Sequence, residues 1–423
     1  MARMPRLVGY LFACGIGLAL RITAAQEPIE TTLDSGEIID TLARVGDWQL
    51  ENPSKFDPRS WVIAPLYDGL IDASLMTGDP RYLAAVVHAG RRIDYELGSR
   101  MYHADGQAAG HAWLRIYELG GGNRPSVLRR AVEQFDEIVK NPVTAQLKFG
   151  EPPPEDLHVT DRWTWADSLY MAPPTIGLLA QITGNERYLQ FVDAEYRFAY
   201  DALYDKREHL FYRDARYIGQ RTPNGEKVFW SRGNGWVLAG LALFMDTLPA
   251  DYANRAFYEG LFHELSAAIV DAQQPGGYWY PSLRDPRHVA IPETSGGALF
   301  VLALAWGVRN NVLDADTYWP SIERGWRAIE AKIDSSGAVR SVQPPAREPE
   351  PFNSGSTVPY GTGAVLMAGA EIVRALGAAP STDATQLLAD AEKLAADAPD
   401  LSTSCRQPCD RPNPEAPSDL RAQ

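Results

Sequence analysis

The sequence predicts an all-α protein built as an (α/α)6 barrel, with six inner helices enclosed by six outer ones. Three observations point there. Helical periodicity dominates from about Asp34 to Leu376. Within that span, stretches with charge along one face alternate with stretches that are small or apolar nearly all round, and a helix apolar on every side has to be buried. One helix-turn-helix junction also recurs: Leu75-Met-Thr-Gly-Asp-Pro-Arg-Tyr-Leu83 is echoed by Gln181-Ile-Thr-Gly-Asn-Glu-Arg-Tyr-Leu189.

In chain order, Arg3 and Arg6 precede the apolar run Leu7–Leu20, and Thr23-Ala24-Ala25 offers a small-residue cleavage site. Residues 1–25 therefore read as a signal peptide, which predicts a periplasmic or secreted protein. The run is too short for an ordinary membrane span. Barrel residues 26–378 follow. Ile38–Leu50 is amphipathic and Trp61–Met76 is apolar; Gly78 ends that helix and Asp79 opens the next. Tyr82–Leu97 (outer) and Gly106–Leu119 (inner) continue the alternation, then Val127–Val139 and Ser168–Ile182. Gly184 and Asn185 repeat the junction before Tyr188–Tyr200. Strand signals are sparse; Leu210–Ile218 and Val228–Trp230 suggest a hairpin around Pro223-Asn-Gly225. Gly233–Leu248, Tyr252–Ala272, Ser295–Val308, Thr317–Ile333 and Thr362–Leu376 complete the set. Residues 379–423 hold one more helix, Ala384–Ala396, and a Pro-rich acidic tail expected to be flexible. Cys405 and Cys409 in that tail are expected to pair as a local disulfide in an oxidising compartment.

A formal charge of −14 argues against nucleic acid or an anionic membrane as partner. An acidic ligand would have to be held by local arginines or helix N-termini rather than by the overall field. The seven histidines are scattered without metal-ligand spacing, so neither a metal nor another cofactor is expected. Eleven tryptophans and nineteen tyrosines suit a carbohydrate cleft and suit a large core equally.

Chemistry-bearing residues recur at one end of the inner helices: Asp105-Gly106, Asp167-Ser168, Arg232-Gly-Asn-Gly-Trp236, Glu293-Thr-Ser-Gly-Gly297 and Tyr360-Gly-Thr-Gly363. If the two rings alternate, these positions share one mouth, where exposed amides and positive dipole ends favour a carboxylate. Asp167 follows Trp163 and Trp165, which alternate and would face one side of an extended run. Either Asp167 is a helix cap, as Asp-Ser commonly is, or its carboxyl is desolvated beside indoles and raised toward a pKa useful for proton transfer. Arg232 lies between Trp230 and Trp236; it could clamp a carboxylate, or be a buried arginine satisfied by helix carbonyls.

Trp165-Ala-Asp-Ser-Leu-Tyr-Met-Ala-Pro-Pro174, Thr183-Gly-Asn-Glu-Arg-Tyr-Leu189 and Trp230-Ser-Arg-Gly-Asn-Gly-Trp236 together resemble the unsaturated rhamnogalacturonyl hydrolases. These form glycoside hydrolase family 105, related to the unsaturated glucuronyl hydrolases of family 88. Glu293-Thr-Ser-Gly-Gly-Ala298, which contains Thr294, and Gly361-Thr-Gly-Ala364, beside Tyr360, fit the same pattern, and the similarity covers roughly Asp34 to Leu376. The resemblance implies an (α/α)6 barrel acting on acidic oligosaccharides left by polysaccharide lyases, which carry a 4,5-unsaturated uronic acid at the non-reducing end. It implies Asp167 as general acid and base, Asp105 as an assisting carboxylate, and Arg232 and Trp236 lining the uronate subsite. One departure stands out: Arg213 aligns where some members carry a histidine.

On such a substrate the bond attacked first is a vinyl ether. Protonated Asp167 would donate to C4, leaving cationic character at C5 and the ring oxygen. Water would then add at C5 while the carboxylate takes its proton, and the hemiketal would open and release the aglycone. Desolvation by the tryptophans and the like charge of Asp105 would raise the Asp167 pKa, outweighing a helix-end effect below about 1 kcal/mol. Two other functions fit the same residues: ordinary glycoside hydrolysis by a carboxylate pair, and non-catalytic sugar binding in an uptake system.

Overall fold

In the computed structural model, which describes residues 29–143, 162–346, 348–379 and 382–403, burial separates two classes of helix. Contacts divide the chain after Glu30, and residues 31–423 make one unit. Its inner helices are α2 (Ala64–Thr77), α4 (Gly110–Leu119), the pair α6 (Ser168–Met171) and α7 (Pro173–Thr183), α9 (Ser231–Thr247), α11 (Thr294–Arg309) and α13 (Pro359–Ala375). In α11 every residue but Arg309 is buried. The outer helices are α1 (Ser35–Glu51), α3 (Pro80–Arg92), α5 (Pro125–Lys140), α8 (Glu186–Leu203), α10 (Arg255–Asp271) and α12 (Ala315–Glu330). Helix α5 buries only Val127, Ala131, Phe135 and Ile138, one stripe at helical spacing.

The inner helices close a ring. α13 packs against both α11 and α2, α9 against α11 and α7, and α4 against α7 and α2. Each outer helix lies on an inner one, so the alternation of periodicity along the chain becomes two concentric layers. The recurring junction works as its residues suggest: Gly78 and Gly184 end α2 and α7 with positive φ, and the side chains of Asp79 and Asn185 accept from Arg81 N and Arg187 N.

Three local expectations are corrected. The third inner helix breaks at Ala172, because Pro173 and Pro174 supply no amide donors and start a new helix, α7. The strand pair forms earlier than expected: β1 (Tyr204–Asp205) pairs with β2 (Leu210–Phe211), while Trp230 bridges to Ser282. Local turn chemistry placed the bend at Pro223-Asn-Gly225 correctly, since Arg221 faces Lys227 across it, but could not identify the partners of the flanking residues. Finally, residues 106–109 precede rather than join α4; Ala104–Gly106 is a short 3-10 turn.

A chain of buried carboxylates and partly buried arginines ties α2, α4, α11 and α13 together. Asp68 meets His111 Nδ1 at 3.0 Å and Arg115 at 3.1 Å; Arg115 also holds Asp72 at 2.7 Å. Arg374 joins Asp72 and Glu371, and Glu371 pairs with Arg309. Burial alone would raise the Asp72 carboxyl, but Arg115 and Arg374 hold it below its ordinary 3.8. A carboxyl depressed in the folded state contributes stability above the unfolded pKa and loses it as pH falls through the folded value. Arg115→Met is therefore expected to destabilise by about 3 kcal/mol at pH 7, because it leaves buried Asp72 with Arg374 alone and buried Asp68 with His111 alone. The deficit should shrink below pH 4, where the Asp72 carboxyl of the variant can protonate. Denaturant unfolding at pH 7 and pH 3 checks both parts.

Helix α14 (Ala384–Leu394) packs on α3, where His88 Nδ1 meets Ala395 O at 2.8 Å. No helix among the described residues is long and apolar enough to cross a membrane. The signal peptide expected at 1–25 and the pair Cys405 and Cys409 lie outside the described residues.

Candidate active site

Asp167 occupies the position before α6, but its side chain caps nothing. Its backbone is already helical, with φ −63 and ψ −26, so the carboxylate does not swing back onto the first amides as a cap must. Instead Oδ1 is buried without a hydrogen-bond partner among the described residues. It lies over Gly233 in the first turn of α9, 3.7 Å from where a Cβ would stand there. The backbone closeness that allows this also depends on Gly240, whose Cβ would meet Leu169 O at 2.2 Å; α6 and α9 touch with no side chain between them.

Burial pushes Asp167 up to about 6; Arg213 and Arg232 oppose that, while Asp105 and Asp214 add to it. Asp105, whose side chain is 18% exposed, is likewise raised by burial to about 6, against Arg100 and Arg213. Two carboxyls that influence each other and both titrate in this range can share one proton near neutral pH, so one can act as acid while the other stays charged.

His103 shapes this corner. Its Nδ1 accepts from Asp105 N–H at 3.2 Å, its ring packs at a tilt on Trp165 with centroids 4.6 Å apart, and its buried Nε2 has no partner among the described residues. A sequence reading assigns His103 and His111 to packing or support. His111 indeed sits in the ion chain on Asp68, whereas His103 touches the residues flanking the acid pair. The two indoles expected on one side have different neighbours: Trp165 lies on His103, and Trp163 packs edge-on to Phe191 of α8.

The next strand of chain supplies a cation. Ala166 N–H donates to Arg213 O at 2.7 Å, and Trp165 bridges to Asp214, which sets Arg213 beside the Asp167 segment. Arg213 Nη1 donates to Asp214 Oδ2 at 2.7 Å, and Arg216 donates to the same carboxylate through Nε and Nη2. Arg213 Nε is buried and has no partner among the described residues.

Across the mouth, Arg232 is wholly buried and stacked between rings, 4.5 Å from the Trp230 centroid and 4.9 Å from that of Tyr360. Nη1 donates to Gln343 O at 2.6 Å and Nη2 to Pro344 O at 2.9 Å. Expected to face a uronate carboxylate or helix carbonyls, it instead meets carbonyls of a loop. Gln343 knits this wall: its carbonyl also accepts from Tyr360 OH, its Oε1 from Trp230 Nε1 at 2.9 Å, and its N–H donates to Glu293 Oε1 at 3.0 Å. Glu293 in turn caps α11 through Ser295 N and Gly296 N. Thr294 Oγ1 donates to Arg340 O at 2.7 Å, so that hydroxyl faces the same loop. Trp236 is buried against Tyr170 and Tyr360, with its indole N–H unpartnered among the described residues.

The expected residues thus fall in two layers. Asp167 and Arg213 form one wall beside Asp105, each with a buried polar atom unpartnered among the described residues; Trp163, Trp230, Arg232, Trp236, Thr294 and Tyr360 are each under 5% exposed, and Arg232 Nε and Trp236 Nε1 are likewise unpartnered. Sequence reasoning missed Gln343 and Asp214. Gln343 sits in Val342-Gln-Pro-Pro345, a proline-broken stretch with no periodicity to read; an Asp following Arg was the only signal for Asp214. Among the described residues no three His, Cys, Asp or Glu side chains are grouped to hold a metal ion.

The family model described as Glycosyl Hydrolase Family 88 matches residues 34–376. An unsaturated 3S-rhamnoglycuronyl hydrolase of Formosa agariphila is 35% identical over 357 residues, covering 81% of this chain and 92% of that protein. A protein of the same name from Alteromonas sp. (strain LOR) is 32% identical over 368 residues, covering 82% and 89%. Among solved structures, a glycosyl hydrolase family 88 protein from Bacteroides vulgatus superposes with a TM-score of 0.71 at 27% identity, covering 81% of this chain and 100% of that one. A helical ring with Asp105 and Asp167 at one mouth, matched by that family model over residues 34–376, belongs to glycosyl hydrolase family 88.

Proposed function

We propose that this glycosidase removes a 4,5-unsaturated uronic acid from the non-reducing end of oligosaccharides produced by a polysaccharide lyase, and that the adjoining sugar is rhamnose carrying a sulfate. The names of the two relatives support the sulfated rhamnose over the unsulfated rhamnose of pectin. One observation carries the reaction: Asp167, buried, unpaired at Oδ1 and raised to about 6. Protonated, it donates to C4 of the vinyl ether; C5 becomes cationic, water adds there, and the Asp167 carboxylate takes the proton back. The C5 hemiketal opens to a ketone, and the hemiacetal left at C1 releases the rhamnose-ended chain as its alcohol. Asp105, ionised beside it, keeps the proton on Asp167. Arg3, Arg6 and the apolar run after them support action in the periplasm or outside the cell.

The test is to incubate the protein with lyase products of several polyanionic polymers and follow loss of the enol-ether ultraviolet absorbance. Rapid loss with sulfated rhamnose oligosaccharides is expected. Comparable cleavage of a saturated glycoside would favour ordinary two-carboxylate hydrolysis, and binding without absorbance loss would leave a sugar-binding protein. The pH dependence has a definite sign. The acid form of Asp167 starts the reaction, so kcat/KM should fall as pH rises above about 6, approaching tenfold per pH unit. A rate still rising between pH 7 and 9 would exclude Asp167 as the donor.

A further inference from the structure

We infer that residues 395–403 are a strap that fixes the loop between α1 and α2, residues 52–63, and through it the placement of Trp61 at the mouth of the ring. Asp400, Ser402 and Thr403 are then positioning residues for a substrate they do not touch. The stretch lies beyond residues 34–376, which the family model matches. The inference goes beyond the function proposed above; only its kinetic readout rests on that reaction.

Both ends of the strap are anchored. Helix α14, which leads into it, buries Leu387, Leu388 and Ala391, and its Glu392 pairs with Arg91 and Arg124. Past that helix, His88 of α3 donates from Nδ1 to Ala395 O at 2.8 Å and sets Nε2 3.0 Å from Asp400 Oδ1. Arg92, one turn further along α3 on the same face, pairs with the same carboxylate. At the far end, Ser54 N–H donates to Leu401 O at 2.9 Å and Thr403 N–H donates to Ser54 O at 2.7 Å, which makes a parallel bridge between Ser54 and Ser402. Ser402 Oγ also donates to Phe56 O. Leu401 and Ser402 are buried, so these bonds are shielded from water and costly to leave unmade.

The strapped loop carries a ring of the mouth. Several of its own bonds are short in span: Phe56 N–H to Ser54 Oγ at 3.1 Å, Ser60 N–H to Asp57 O at 2.9 Å and Ile63 N–H to Ser60 O at 3.1 Å. Such bonds curl a loop without fixing it against the rest of the molecule. From α2, Tyr67 OH donates to Pro58 O at 2.8 Å and holds the middle, while Ile63, the N-cap of α2, makes no side-chain cap bond. The strap holds the beginning, at Ser54 and Phe56. Trp61 follows, partly exposed, with its ring 11° from parallel to Tyr360 and the centroids 5.6 Å apart. Tyr360 in turn touches Arg232 and Trp236. A loop held at one end only would let Trp61 wander, and ordering it when a sugar arrives would subtract from affinity. The strap orders it beforehand.

The experiment loosens the strap in the full chain. Asp400→Ala removes the partner of His88 and Arg92, and Thr403→Pro removes the amide that donates to Ser54 O. In the double variant, hydrogen exchange of peptides spanning residues 53–63 should accelerate about tenfold or more, while α11 keeps its protection. For an oligosaccharide that the wild type cleaves, KM should rise roughly tenfold with kcat changed by less than about twofold, the pattern of lost binding rather than lost chemistry. Asp400→Asn and Thr403→Pro alone should fall between, and they carry the test if the double variant folds poorly. Glu392→Gln weakens the hold of α14 on Arg91 and Arg124 without touching the strap, and should change neither loop exchange nor KM. In a Trp61→Ala background the strap substitutions should add no further rise in KM, because they act through that ring. The inference is overturned if loop exchange stays as in the wild type, if it rises while KM does not, if α11 loosens with the loop, or if the rise in KM persists without Trp61. If no oligosaccharide loses absorbance, the proposed reaction fails separately, and calorimetric affinity for the same oligosaccharides takes the place of KM. The wild type must then bind one of them and the double variant must bind it more weakly; otherwise the strap has no part in substrate binding.

Discussion

Asp167→Asn should reduce turnover by roughly 1,000-fold, because a single carboxyl both delivers and recovers the proton and an amide does neither. The same substitution should leave the protein as stable or more so. In the folded state the Asp167 carboxyl titrates near 6, against 3.8 for an ordinary aspartate. The unfolded chain therefore ionises first, and the folded form loses stability as pH climbs from 3.8 to 6, with the full loss above that. That loss is about 3 kcal/mol at 1.4 kcal/mol per pH unit. Asparagine has no charge to bury, so the variant's advantage over wild type should be larger at pH 8 than at pH 4. Urea unfolding at both values measures it. A stability difference that does not depend on pH would show that the carboxyl is not buried as described, and substantial residual turnover would remove it from the reaction.

Arg232→Ala should act on the fold before it acts on substrate. The deletion leaves the carbonyls of Gln343 and Pro344 without donors and opens a space between Trp230 and Tyr360. A loss of about 3–5 kcal/mol is expected from an unpaired buried group together with a cavity. Because Gln343 also engages Trp230, Glu293 and Tyr360, the mouths of α9, α11 and α13 should loosen together. Arg232→Met would fill most of the space but leave the carbonyls unpaired, and should recover only part of the loss. Thermal unfolding of the three proteins ranks them. If Arg232→Ala melts with the wild type and shows only a higher KM, the arginine is a substrate contact and not a brace.

The barrel was legible because burial leaves a local mark. α11 reads as apolar on every side and α5 as apolar on one stripe, and those two patterns are the inner and outer layers themselves. Junctions were legible for a similar reason, since a cap such as Asp79 or Asn185 bonds an amide two residues away. The strand pair was not: Trp230 finds Ser282 rather than the residues near Arg213, and no short-range pattern records that choice. Nor could the sequence choose between two functions for Arg232, whose partner Gln343 O lies 111 residues downstream in a proline-broken loop.

By itself, then, the order of residues determined the layering and the capped helix junctions, and singled out Asp167 as a candidate acid. Each depends on side chains a few positions apart, where spacing along the chain equals spacing in space. Only the tertiary structure decided that Asp167 caps nothing, that His103 packs on Trp165, and that loop carbonyls brace Arg232 while Asp214 holds Arg213. Those outcomes turn on hydrogen bonds and desolvation set by distant segments meeting at one mouth, and a charge is tuned by what surrounds it rather than by what precedes it.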